Sequence, residues 1–152
     1  MTIAVGEQIP QINFTTMTDE GPKPVTPSEL FTDKKVALFS VPGAFTPTCS
    51  LKHLPGFVQQ SEMLQEKGID TVCCMSVNDV FVMDAWGKSQ SAEGKVLMLA
   101  DGNGDFTKAM GAAGLVATTT FSPSNLFAAG QARVLTWSGY DVIEMYPGVD
   151  PD

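Results

Sequence analysis

Two short apolar runs dominate the first half of the chain. Val36-Ala37-Leu38-Phe39-Ser40-Val41 lies between Lys34-Lys35 and Pro42-Gly43, and Asp70-Thr71-Val72-Cys73-Cys74-Met75-Ser76-Val77 runs into Asn78-Asp79. Near-continuous apolar character over so few residues, bounded by turn formers, predicts strands buried on both faces. After the first run, Leu51, Leu54, Val58 and Met63-Leu64 recur at roughly helical spacing. A helix is expected to begin near Cys49, with Pro55-Gly56 disturbing its middle. After the second run, Asn78 or Asp79 offers an N-cap to a helix carrying Val82, Met83 and Trp86. Val96 to Ala100 predicts a third strand and Phe106 to Met110 a short helix. The broken alternation up to Thr18, followed by Asp19-Glu20-Gly21-Pro22-Lys23-Pro24, predicts an early hairpin. Arg133 to Trp137 with Val142 to Tyr146 predicts a closing hairpin around Ser138-Gly139. Alternating strands and helices followed by a hairpin imply an α/β fold, a central mixed β-sheet flanked by helices. The Thr-rich stretch from Thr118 to Ser124 carries no such pattern.

Composition narrows the class. At 152 residues and 43% hydrophobic, the chain suits a single domain over 1–152 with its own core. Its net charge is -8, from nine Lys plus Arg against seventeen Asp plus Glu, and the basic residues are scattered. That disfavours nucleic acid and anionic membranes as partners. No apolar run approaches the roughly 20 residues that span a bilayer. Met1 to Glu7 has no basic start followed by an apolar stretch, so a cytoplasmic location is expected. Three cysteines, two of them the neighbours Cys73 and Cys74, do not make a disulfide framework, and reduced thiols are expected. Asn13-Phe14-Thr15 is a formal glycosylation sequon that such a chain would not use.

The distinctive chemistry gathers in Pro42-Gly43-Ala44-Phe45-Thr46-Pro47-Thr48-Cys49, which joins the first buried strand to its helix. Cys49 falls in the first helical turn, where unpaired N–H groups and the positive end of the helix dipole favour an anion, hence thiolate over thiol. Thr46, three residues earlier, can place a hydroxyl that both donates and accepts. His53, the only histidine, stands four residues after Cys49 on about the same helical face. It reads either as a base or as a partly buried residue shaping the pocket. The second reading is preferred, because a thiolate already formed needs no base.

Pro42, Thr46 and Cys49 meet the signature of the peroxiredoxins: Pro, three residues, Thr or Ser, two residues, Cys. Val41 to Phe57, including His53-Leu54-Pro55-Gly56-Phe57, resembles the type 5 subgroup, which includes the plant type II enzymes. Ser76-Val77-Asn78-Asp79, Met83-Asp84-Ala85-Trp86 and Leu99 to Phe106 resemble it too, so the likeness covers most of the chain. The resemblance implies a thioredoxin-like fold with an N-terminal β-hairpin, no cofactor and no metal, and a homodimer. It implies reduction of hydrogen peroxide, alkyl hydroperoxides and peroxynitrite through a sulfenic acid on Cys49, recycled by glutathione, glutaredoxin or thioredoxin. It assigns Pro42 to shielding the thiolate and Thr46 to hydrogen bonding. The Gly43 and Cys49 N–H groups would hold the peroxide oxygens, with Phe45 and His53 on the substrate side. A family arginine preceding a late strand corresponds to Arg133, the only arginine, although Gly130-Gln131-Ala132-Arg133 departs from the usual approach. Cys74, just before the Ser-Val-Asn-Asp string, is the candidate resolving cysteine of the plant enzymes, whereas Cys73 has no counterpart.

Other readings are weaker. General thiol–disulfide exchange would want Cys-x-x-Cys, and Cys49 is followed by Ser50-Leu51-Lys52. A non-catalytic redox-sensing or holdase module would need none of Pro42, Thr46, Cys49 and an arginine. Asp101-Gly102-Asn103-Gly104-Asp105 mimics the start of a calcium loop, but Phe106 stands where that loop needs Gly and Ala112 where it needs Glu.

Overall fold

The computed structural model describes residues 8–110 and the backbone of residues 134–138 and 141–145. Five strands form one sheet: β1 (Phe14–Thr18), β2 (Gly21–Val25), β3 (Val36–Ser40), β4 (Thr71–Ser76) and β5 (Leu97–Ala100), in the order β2-β1-β5-β4-β3. β3, β4 and β5 are parallel, and β1 is antiparallel to both β5 and β2. The helices are α1 (Pro27–Phe31), α2 (Leu54–Gln59), α3 (Ser61–Glu66), α4 (Val80–Ser89) and α5 (Asp105–Ala109). β6 (Val134–Ser138) and β7 (Asp141–Met145) make the expected antiparallel hairpin, and β6 lies beside β3. The result is the mixed, helix-flanked sheet of a thioredoxin-like α/β fold. The Thr118 to Ser124 stretch lies outside the described residues.

Alternation along the buried strands builds two cores, one on each face of the sheet. Ala37, Phe39, Val72 and Cys74 face a cluster with Cys49, Leu54, Phe57, Met83 and Trp86. Val36, Leu38, Cys73 and Met75 face one with Phe14, Leu30, Leu99 and Phe106. Cys73 and Cys74 thus point to opposite sides, as their adjacency in a strand requires. Phe14 and Phe106 pack with ring centroids 4.5 Å apart, and each buried aromatic of this kind costs about 3–5 kcal/mol when truncated to Ala.

Three elements depart from the sequence expectation. Gly21-Pro22-Lys23-Pro24-Val25 is strand β2 and not all turn: Pro22 and Pro24 are tolerated because β2 is the sheet's outer strand, so a nitrogen without a proton can face away from β1. The unexpected α1 starts on a capping box in which the Thr26 hydroxyl accepts from Glu29 N–H (3.2 Å) and the Glu29 carboxylate accepts from Thr26 N–H (2.8 Å). The helical segment after β3 begins at residue 47, two residues earlier than expected. The Thr46 carbonyl accepts from Ser50 N–H at 3.0 Å, and Pro47 takes the first helical position, where a missing N–H is harmless. Cys49–His53 is a wide π-type turn closed by Leu54 N–H onto the Cys49 carbonyl. It ends two residues before Pro55, which cannot donate to the carbonyl four residues back. Pro55 sits in the first turn of α2, so the real break falls at Gln60, between α2 and α3.

Candidate active site

Parallel strands β3 and β4 end side by side, and the chain leaving β3 turns across their carboxyl ends into the helical segment. Val41 N–H still donates to the Met75 carbonyl at 3.0 Å, so the loop starts from a fixed point. Asn78, just past β4, then clamps it: its Oδ1 accepts from Ala44 N–H (2.9 Å) and from the Ser76 hydroxyl (2.8 Å). Phe45 takes φ of 62°, a left-handed conformation that costs a bulky residue about 1–3 kcal/mol, and its side chain is 57% exposed. The neighbouring hydrogen bonds hold that strain in place. Thr46 donates its hydroxyl proton back to the Gly43 carbonyl at 2.9 Å, leaving its lone pairs to accept.

Cys49 is the third residue of the helical segment, fully buried, with its N–H among those a helix start leaves without an intrahelical acceptor. The segment between β3 and the helical turn therefore carries Pro42, Gly43, Phe45, Thr46 and Cys49, with Thr46 tied back to Gly43. His53 closes the same turn but faces inward. Its ring lies 5.1 Å from Phe39 and 5.9 Å from Phe57, which stack on each other at 3.9 Å. Its Nδ1 is buried without a hydrogen-bond partner, and burial pushes its pKa down.

Cys74 pairs in register with Phe39 on one side and Met98 on the other, in the same core cluster as Cys49. Burial pushes its thiol pKa well up, and the Cys49 and Cys73 sulfurs push in the same direction, so Cys49 and Cys74 are electrostatic neighbours. Cys73, on the other face, is pushed up to about 12 by burial, slightly offset by Lys34. No disulfide joins the three. Arg133 lies outside the described residues.

Two supporting residues escaped the sequence reading. Of the two candidate caps, Asp79 takes the role, its carboxylate accepting from Val82 N–H at 2.9 Å, while Asn78 holds the loop. Ser50 accepts from the buried Trp86 indole N–H at 2.9 Å, tying α4 to the turn that carries Cys49. A polar pair ending an apolar strand, and a serine beside the cysteine, were the available signals. Asp101 is a structural cap: its carboxylate accepts from Phe106 N–H (3.1 Å), Thr107 N–H (2.8 Å) and the Thr107 hydroxyl (2.6 Å).

The redoxin family model matches residues 4–143. Peroxiredoxin-2B of Arabidopsis thaliana is 49% identical over 111 residues, covering 72% of this chain and 68% of that protein. The chloroplastic Peroxiredoxin-2E of the same plant is 48% identical over 112 residues, and there the match covers 72% of this chain but only 48% of the relative, so the chain spans about half of that protein. Among solved structures, reduced Prx3 of Vibrio vulnificus in complex with hydrogen peroxide superposes with a TM-score of 0.71 and 50% identity, over 73% of this chain and 70% of that one.

Proposed function

The chain belongs to the peroxiredoxins within the redoxin family, and from that premise we propose that it is a thiol-dependent peroxidase whose nucleophile is Cys49. The observation that carries the reading is the placement of Cys49 at the start of a helical segment, at the carboxyl ends of two parallel strands, in a loop clamped by Asn78. Backbone N–H groups at such a site stabilise a thiolate and the charge that moves onto a leaving oxygen. The Cys49 thiolate attacks one peroxide oxygen: the S–O bond forms, the O–O bond breaks, and the departing oxygen takes a proton and leaves as water or an alcohol. Cys49 is left as a sulfenic acid.

The Thr46 hydroxyl, its proton given to Gly43, accepts from the peroxide O–H and orients it. The Gly43 and Cys49 N–H groups receive the peroxide oxygens, Pro42 limits water at the sulfur, Phe45 lines the entrance, and His53 shapes the pocket wall from within. Arg133 immediately precedes β6, which lies beside β3, and this order supports a role for its guanidinium near the sulfur. The peroxide held in the Vibrio vulnificus structure supports peroxide as the substrate class.

The recycling thiol comes from glutathione, glutaredoxin or thioredoxin, with Cys74 as the internal alternative. A homodimer belongs to this reading, supported by four exposed apolar side chains around the loop and the ends of β4 and α4: Phe45, Leu51, Val77 and Phe81. So does a cytoplasmic location, in keeping with the reduced, acidic chain, although two relatives are named chloroplastic. Among the described residues no helix is long and apolar enough to cross a membrane. Intact mass after one equivalent of hydrogen peroxide, with and without excess glutathione, tests the reading. A Cys49-glutathione adduct is expected with glutathione and a Cys49–Cys74 disulfide without it. Unmodified protein in both samples would contradict it.

A further inference from the structure

We infer that the hydrogen bond from the Trp86 indole to the Ser50 hydroxyl is a latch that sets how often the turn carrying Cys49 opens, and thereby how fast oxidised Cys49 reaches Cys74. The consequence for oxidised Cys49 rests on the peroxidase reading above; the latch itself does not.

Cys49 and Cys74 are unbonded thiols, one in a helical turn and the other in a strand, and a disulfide needs their Cβ atoms about 3.8 Å apart in a defined geometry, so joining them calls for a rearrangement. Cys74 cannot supply the movement, because hydrogen-bonded strands hold β4 on both sides. The movement therefore falls to the Cys49 turn. Hydrogen bonds within and across the turn oppose it, among them, in order, Ser50 N–H to the Thr46 carbonyl, Leu54 N–H to the Cys49 carbonyl, and Trp86 Nε1–H to Ser50 Oγ. The first two join backbone groups of the moving segment, and water can satisfy them once the turn opens. The third differs, because Trp86 is fully buried in α4 and stays behind. Among the described residues its N–H has no other acceptor, and Ser50 makes the only side-chain hydrogen bond from residues 49–53 to another element. Opening strands a buried donor, so the bond resists opening more than an exposed one would.

Once the turn is open, the reaction balances without a further reagent. Cys74 sulfur attacks the sulfenic sulfur of Cys49, the S–S bond forms, the S–O bond breaks, and the hydroxyl leaves as water with the Cys74 proton.

Removing the latch should raise the opening equilibrium about fivefold, which is about 1 kcal/mol at 1.4 kcal/mol per factor of ten. Two variants remove it differently: Ser50→Ala deletes the acceptor and Trp86→Phe deletes the donor while keeping a ring, whereas Ser50→Thr retains the hydroxyl. Amide hydrogen exchange of reduced protein reads the opening directly. Exchange at Leu54 is expected to rise about fivefold in Ser50→Ala and Trp86→Phe and to stay within about twofold of the parent in Ser50→Thr, with β4 amides unchanged. One equivalent of peroxide, without external thiol, should then give the Cys49–Cys74 disulfide faster by a similar factor. Unchanged Leu54 exchange in both variants, or a rise shared by β4, would overturn the latch. Faster exchange with an unchanged disulfide rate would overturn its role in resolution. If exchange rises but no chain forms a sulfenic acid, the latch stands and the peroxidase reading fails.

Discussion

Cys49 and Cys74 are equally hidden from solvent, share one core cluster, and sit on neighbouring elements, yet their surroundings suit them to opposite tasks. Cys74 lies in a strand laddered to β3 on one side and β5 on the other, and burial, with the Cys49 and Cys73 sulfurs adding in the same direction, holds its sulfur in the thiol form. Around Cys49 the chain has just left the sheet and entered a helix, where N–H groups lack intrahelical acceptors and a hydroxyl stands three residues away. Burial by itself therefore says little about a cysteine. What decides is whether the backbone beside it still has donors to offer.

That contrast can be broken at several points. Cys49→Ser should lower peroxide reduction by about a thousandfold or more with an unchanged circular dichroism spectrum, whereas Cys74→Ser should leave the first attack within about twofold and abolish only the internal disulfide. Equal losses in the two variants would erase the distinction. Thr46→Val keeps the shape and removes the hydroxyl, and single-turnover kinetics should show attack slower by about a hundredfold. Asn78→Ala strands Ala44 N–H and Ser76, so the loop should relax, with attack slower by about tenfold and stability lower by about 1–3 kcal/mol in urea. A normal rate in Asn78→Ala would mean that the strained Phe45 loop holds itself.

The smallest expected effect concerns pH. Burial keeps His53 neutral and its pKa below 6.5, so the folded state binds fewer protons than the unfolded one. Its contribution is unpenalised above pH 6.5, and stability falls as pH drops from there toward the lowered folded value. The slope cannot exceed about 1.4 kcal/mol per pH unit from one group. His53→Gln should flatten the urea midpoint between pH 7.5 and 5.5, and an unaltered slope would assign the acid sensitivity elsewhere.

The same contrast explains what was legible in the sequence. β3 and β4 are buried on both faces, so their apolar runs announce them, and the junction to Cys49 follows from the turn formers at Pro42-Gly43. Asp79 capped α4 as one of two candidates. β2 was hidden by prolines that only an edge strand accepts, a fact of topology absent from local sequence. α1 went unread although Thr26 and Glu29 spell its capping box. The π-type turn cannot be seen in a periodicity count, because its extra residue shifts the phase. Leu51 falls at the helical apolar spacing yet is 76% exposed. At the site, Pro42, Thr46 and Cys49 are close in sequence and were found together, whereas Asn78 and Trp86 act across more than thirty residues and emerge only from the fold.

The most direct test mixes reduced protein with hydrogen peroxide in stopped flow and traps the product with a sulfenic-acid reagent for peptide mass spectrometry. The account predicts attack far faster than that of free cysteine, with the adduct on Cys49 and none on Cys73 or Cys74. A rate no greater than free cysteine, or an adduct on a strand cysteine, would contradict it.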